Sequence, residues 1–346
     1  MEVITLLKDL IRTPSFSREE QAAADLIEQF MQVHGLAPCR EGNNVWCLAP
    51  GYHPDHPTLL LNAHLDTVRP AAGWQRDPFC PTLEGDKLYG LGSNDCGGGL
   101  VSLLETFIQL SKRPQTYNLI FAATAEEEIS GPSGMAHLFP LLPHIDTAIV
   151  GEPTALQPAI AERGLMVLDC TTVGRAGHAA REEGDNAIYH ALPIIEWFRT
   201  FQFPKVSPLL GPIKTSVTVI QAGSTHNQVP DRCTFTVDVR VNELYTNEEV
   251  LDIIRANVDC ELTARSTRLR SSHISTRHPL VKALIRMGLK PYGSPTLSDQ
   301  ALIDCPSLKL GPGDSARSHT ADEYIQLSEI TRAVDIYLQL LDGLTL

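Results

Sequence analysis

Two histidines and a set of carboxylates stand where this chain turns abruptly from apolar to polar. Thr58-Leu59-Leu60-Leu61-Asn62-Ala63 runs into His64-Leu65-Asp66, and Asn118-Leu119-Ile120-Phe121-Ala122-Ala123 leads to Glu126-Glu127-Glu128. Asp146-Thr147-Ala148-Ile149-Val150 is followed by Gly151-Glu152-Pro153. An apolar stretch near 307–310 leads through Gly311-Pro312-Gly313-Asp314 to His319-Thr320-Ala321-Asp322-Glu323. Between the first two runs lies Gly90-Leu91-Gly92-Ser93-Asn94-Asp95, a tight turn that presents an acid ahead of a helix. Singly, such a histidine is a hydrogen-bonded structural residue and such a run of acids a solvated face. Together they are the mixed nitrogen and oxygen donor set that suits zinc or a similar divalent ion. Three adjacent glutamates after a buried strand also repel one another unless a cation or a proton intervenes.

The elements needed to position these residues are legible as patterns. The apolar runs at 58–63, 118–123 and 146–150 read as buried strands, and 100–110, after Gly97-Gly98-Gly99, reads as a helix. Ser17-Arg18-Glu19-Glu20 reads as a capping box opening a helix that ends near Gly35. Strands alternating with helices predict an α/β fold with a mostly parallel central sheet covered on both faces. Ligands in such sheets bind outside the carboxyl ends of the strands, where the polar residues fall. After about residue 162 the pattern changes: strand 165–173, helix 186–201, strand 215–221, an alternating strand 234–240, helix 247–257 and strand 261–266. That β-α-β-β-α-β order predicts an inserted ferredoxin-like α+β domain. The domain reading is 1–162 with 273–346 for the catalytic domain and 163–272 for the insert.

The formal charge of −13 argues against nucleic acid and anionic membranes as partners. It is uneven: residues 163–270 hold 12 Lys+Arg against 13 Asp+Glu, leaving 16 against 28 in the remainder. The acidic excess thus lies in the segments that carry the candidate ligands. Eight cysteines, at 39, 47, 80, 96, 170, 233, 260 and 305, form no C-x-x-C pair, and are expected as buried free thiols in a reducing cytoplasm. No basic segment followed by an apolar run opens the chain, and no apolar stretch reaches the ~20 residues that cross a bilayer.

His64-Leu65-Asp66-Thr67-Val68, the Gly-x-Gly-x-x-Asp turn ending at Asp95, the Glu127-Glu128 pair, Gly151-Glu152-Pro153-Thr154 and the terminal His319-x-x-Asp-Glu appear in one order along the whole chain. In this set the chain resembles the zinc peptidases and deacylases that include acetylornithine deacetylase, succinyl-diaminopimelate desuccinylase, aminoacylase and glutamate carboxypeptidase. The resemblance implies two zinc ions, with cobalt or manganese as possible replacements. His64, Asp95 and Glu152 would bind one, and Asp95, Glu128 and His319 the other. It implies Glu127 as general base, Asp66 as the acceptor that fixes the His64 tautomer, and His178 of Gly177-His178-Ala179 as an oxyanion donor, often reaching the site from the other subunit of a dimer. Asn227 and Arg240 match positions that hold a substrate carboxylate, with Arg163 assisting and the Gly311 turn offering backbone N–H groups. Two departures stand out: Gly97 where the family usually has Lys, and Glu126 where Asp is commoner.

The resemblance leads to the expectation of a cytoplasmic hydrolase, dimeric through the inserted domain, removing an N-acyl group from a small amino acid in arginine or lysine biosynthesis. A di- or aminopeptidase on the same scaffold is the alternative within enzymes. A non-catalytic binding protein that kept the fold is the alternative outside them.

Overall fold

In the computed structural model, which describes residues 2–346, the apolar runs Thr58–His64 and Asn118–Thr124 are buried along their whole length. They pair in parallel, with His64 opposite Thr124. Thr147–Val150 pairs in parallel with the other side of Thr58–His64, and Ser307–Lys309 adds in parallel to Thr147–Val150. These four strands are the centre of a nine-stranded sheet with antiparallel edges. At one edge lie Asn44–Leu48 and Cys39–Glu41, and on the other side Ala159–Glu162 pairs antiparallel with Ser307–Lys309. A mostly parallel centre buried on both faces explains why its strands read as continuous apolar runs rather than alternating ones.

Both faces are covered. The helix Gly98–Leu110 is almost wholly buried and sets Phe107 on Phe121 of the sheet, with ring centroids 5.9 Å apart. Glu2–Arg12 and Leu327–Leu341 pack on that helix. On the other face Leu60, Ile120 and Ala148 meet Met135 and Leu138. Gly99 must lack a side chain, because a Cβ there would lie 1.8 Å from the carbonyl oxygen of Gly151. The helix therefore starts hard against the loop that carries Glu152.

One expected element is corrected. Ser17 does not cap a helix: the helix runs Gln21–Val33, Glu20 sits at its N-cap without a side-chain cap bond, and the Ser17 hydroxyl donates instead to Asp66 Oδ2 at 2.6 Å. A three-stranded sheet of Thr82–Glu84, Lys87–Tyr89 and Tyr324–Gln326 was not anticipated, its strands being too short to show a period. It pins residue 324 beside Tyr89, bringing the His319–Glu323 segment to the turn after Tyr89.

The chain divides into two compact units, one of residues 1–160, 273–293 and 298–346, the other of 161–272 and 294–297. In the second, strands Lys214–Ala222, Arg232–Val241, Gly164–Val173 and Glu261–Ala264 lie in that spatial order, all antiparallel, with helices Ala187–Thr200 and Asn247–Arg255. This is the ferredoxin-like arrangement. Arg232–Val241 alternates buried and half-buried residues, placing Phe235, Val237 and Val239 in the core of that unit. All eight cysteines are free, but only Cys47, Cys96, Cys170 and Cys233 are buried; Cys39 and Cys80 are exposed, so the expectation of uniform burial does not hold. Among the described residues no helix is long and apolar enough to cross a membrane.

Candidate metal centre

The carboxyl ends of the parallel strands bring six of the candidate residues together. His64, the last residue of its strand, is 2% exposed and turns Nε2 toward Asp95 Oδ1 at 3.2 Å. The other oxygen of that carboxylate, Oδ2, lies 3.6 Å from Nε2 of His319, and the same imidazole nitrogen lies 2.9 Å from Glu128 Oε2. Glu152 Oε1 stands 3.8 Å and Glu127 Oε2 4.0 Å from His64 Nε2. Asp95 thus presents one oxygen to each of two imidazoles, the geometry required of a carboxylate shared by two cations.

Asp66 serves this cluster through more than one bond. Its carboxylate accepts the Ser17 hydroxyl and the backbone N–H groups of Glu127, at 3.0 Å, and Glu128, at 3.2 Å. His64 Nδ1 lies closer to the backbone oxygen of Asp66, at 2.9 Å, than to its carboxylate, at 3.5 Å. Either acceptor places the proton on Nδ1 and leaves Nε2 as a free lone pair for a cation. The nearer one, a carbonyl, could not be foreseen from side-chain identity. Asp66 joins the His64 loop to the loop of the two glutamates.

The three adjacent glutamates do not converge. Glu126 takes a positive φ of 55°, its N–H donates to buried Glu20 Oε1 at 3.2 Å, and its carboxylate accepts the Ser133 N–H at 3.1 Å. Only Glu127 and Glu128 face the cluster. Burial pushes the Glu127 carboxyl well above the usual carboxylate range, with His64 opposing and Glu152, Asp299 and Glu128 adding to the rise. Glu152 is pushed up to about 8 by burial and the Asp95 charge.

Glu323 was part of the terminal motif but carried no assigned role. It is buried, and its carboxylate accepts three backbone N–H groups of the Asp95 turn: Gly92 at 3.1 Å, Asn94 at 2.8 Å and Asp95 at 2.9 Å. Its backbone oxygen takes the Gly90 N–H at 3.0 Å. The small sheet and Glu323 together hold the loop that presents Asp95. Gly92 has a φ of 73°, and a Cβ there would meet Thr67 Cγ2 at 2.6 Å.

The residues present fit a pair of divalent cations. The ligand atoms of His64, Asp95 and Glu128 lie within 4.8 Å of one another. Glu152 Oε1 is buried and has no hydrogen-bond partner, a costly state unless a cation meets it. A cluster with this many carboxylates and two imidazoles is short of positive charge without one.

In the second unit, His178 lies on the short strand Gly177–His178, opposite Gln228. The Ala180 N–H donates to His178 Nδ1 at 3.1 Å, which leaves the proton of the neutral ring on Nε2, a donor. The Asn227 backbone oxygen accepts the Ala179 N–H at 2.9 Å, tying the two loops together. Arg240 forks onto Asp238 with bonds of 2.9 and 3.0 Å. Arg163 is buried, and its guanidinium donates to the backbone oxygens of Leu210 and, at 2.8 Å, Pro212. Through those bonds the two terminal nitrogens of Arg163 brace a loop. In the first unit the Gly311 N–H is likewise taken, by Thr154 Oγ1 at 3.1 Å, so it does not offer itself to a ligand.

The chain belongs to peptidase family M20/M25/M40, whose model matches residues 60–343. It is therefore a metal-dependent amidohydrolase. It is 27% identical to an acetylornithine deacetylase of Edwardsiella ictaluri, over 98% of this chain and 96% of the relative. It is 23% identical to a succinyl-diaminopimelate desuccinylase of a Ruegeria species, over 99% of this chain and 94% of the relative. Among solved structures it is similar to the YXEP protein of Bacillus subtilis, described as a dinuclear metal-binding peptidase of the M20 family. The TM-score is 0.76 at 17% identity, covering 99% and 98% of the two chains.

Proposed function

We propose that the chain removes an N-acyl group, acetyl or succinyl, from an amino acid such as ornithine, citrulline or lysine, and that it does so with two zinc ions. The observation that carries the reading is the division of the Asp95 carboxylate between His64 and His319, with Glu127 4.0 Å from His64 Nε2. In it, His64, Asp95 and Glu152 hold one cation and Asp95, Glu128 and His319 the other. A bound cation pair supplies a water of lowered pKa and a Lewis acid for the amide carbonyl.

The remaining work falls to side chains. Glu127, 4.0 Å from His64 Nε2 and outside both ligand sets, takes the proton of the attacking water and returns it to the leaving amine. His178 donates Nε2–H to the oxyanion of the tetrahedral intermediate, a role supported by the Ala180 bond to Nδ1. Asn227 and Arg240 are the proposed holders of the substrate carboxylate; the planar Arg240 fork, which holds the Asp238 carboxylate in this structure, would exchange that partner for the substrate's. The domain of residues 1–162 and 273–346 carries the metals, and 163–272 serves as lid and as the surface of a homodimer. The eight free thiols suit action in the cytoplasm.

Amine release from N-acetylornithine, N-acetylcitrulline and their N-succinyl counterparts, measured against Gly-Leu dipeptide, tests the substrate class. Release from at least one acyl amino acid that exceeds dipeptide hydrolysis is expected. Faster dipeptide hydrolysis would assign the chain to the peptidases, and no hydrolysis of any kind by folded, zinc-loaded protein would favour a binding protein. His178→Ala is expected to lower kcat by about 10²-fold, the loss seen for one oxyanion donor, while metal content stays unchanged. Loss of metal in that variant would place His178 among the ligands instead.

A further inference from the structure

Asp299 is a buried carboxylate at the edge of the metal centre that the ligand set does not use. It opens the short turn Asp299–Leu302, after Ser298, and is 2% exposed. Its Oδ2 accepts the Thr124 hydroxyl at 2.6 Å, and the Thr124 oxygen in turn accepts Nδ2 of Asn62 at 2.9 Å. Asn62 and Thr124 belong to the two central parallel strands, and Thr124 lies opposite His64 in register. Three residues beyond Thr124 comes Glu127. The carboxylate therefore lies under the strand ends from which the ligands emerge, and electrostatic interactions link it to His64, Asp66 and Glu127.

A hydrogen-bond acceptor for Thr124 does not require a charge; an amide oxygen would serve as well. An ionised carboxylate in the interior is costly unless positive charge lies close by. The imidazole of His64 is a small compensation beside Asp66, Asp95 and Glu127, whereas two divalent cations would be ample. Residues behind the ligands also commonly tune how tightly a metal is held.

We propose that Asp299 is a positioning residue of the metal centre that acts by charge: it stabilises the cation pair from beneath the ends of the two central strands without ligating either ion. The proposal rests on the ligand set assigned above. It differs from a purely structural role, in which Asp299 would only fasten the 299–302 turn to Thr124.

Zinc affinity of the full-length protein, measured by competition with a chromophoric chelator, separates the two. Asp299→Asn keeps an acceptor for Thr124 and removes the charge; it is expected to weaken zinc binding about 10- to 100-fold while the melting temperature of the metal-free protein stays near wild type. Thr124→Val removes the bond and keeps the charge, and its loss of affinity is expected to stay below about tenfold. Wild-type affinity in Asp299→Asn overturns the proposal, and so does equal weakening in both variants. If Asp299→Asn does not fold, Thr124→Val decides: retained affinity supports the role of charge, and a loss of about tenfold or more overturns it. Failure of the wild-type chain to take up zinc would overturn the ligand assignment and this proposal with it, whereas equal uptake by wild type and Asp299→Asn removes this proposal alone.

Discussion

Glu127→Gln is expected to bind two metal ions per chain and to turn over substrate about 10²–10⁴-fold more slowly, the usual contribution of a general base. The side chain is close to isosteric, so the cluster keeps its shape, but the amide cannot take a proton from water. Both ligand sets leave Glu127 out, and its backbone N–H, bonded to Asp66 Oδ1 at 3.0 Å, is untouched by the change. The position of the loop therefore survives and only the proton acceptor is lost. Metal analysis and kcat measured on the same preparation check this. A fully active variant would remove Glu127 from the mechanism, and a variant short of metal would make it a ligand.

Asp95→Asn acts on the other axis, through metal rather than proton. The native carboxylate offers an oxygen to each imidazole, and an amide keeps one oxygen and turns an N–H₂ toward the second site. Loss of one shared negative charge weakens both cations, and the lost charge stabilisation of several kcal/mol corresponds to a fall of about 10³-fold in kcat/KM. Metal content is expected to fall below two per chain together with activity. The bonds that the Gly92, Asn94 and Asp95 backbone N–H groups donate to the Glu323 carboxylate remain available, so the fold of the turn should persist. A variant that retains two tightly held ions would show that Asp95 does not bridge.

The contrast between these residues and their supports shows what a linear reading can reach. His64, Glu127, Glu128 and Glu152 were legible because each follows an apolar run that can only be a buried strand, and strand ends of a parallel sheet share one edge. The sequence pattern changes near residue 162, and the second compact unit begins at residue 161. Ser17 was misread because a local pattern, Ser followed three residues later by Glu, is a cap only when its hydroxyl stays local; here it crosses 49 positions to reach Asp66. Glu323 acts through a bond to a residue 228 positions away, and Asp299 is bonded to one 175 positions away; no spacing rule spans such distances. Arg163 and Arg240 had the right chemistry for a carboxylate, but only the fold sets the first on carbonyl oxygens and the second on Asp238.

Anomalous diffraction from crystals of the zinc-loaded protein tests the central claim most directly. Two zinc peaks are expected on opposite oxygens of Asp95, one also beside His64 and Glu152, the other beside Glu128 and His319. A single peak, or two peaks that do not share Asp95, would contradict the shared-carboxylate site on which the proposed hydrolysis depends.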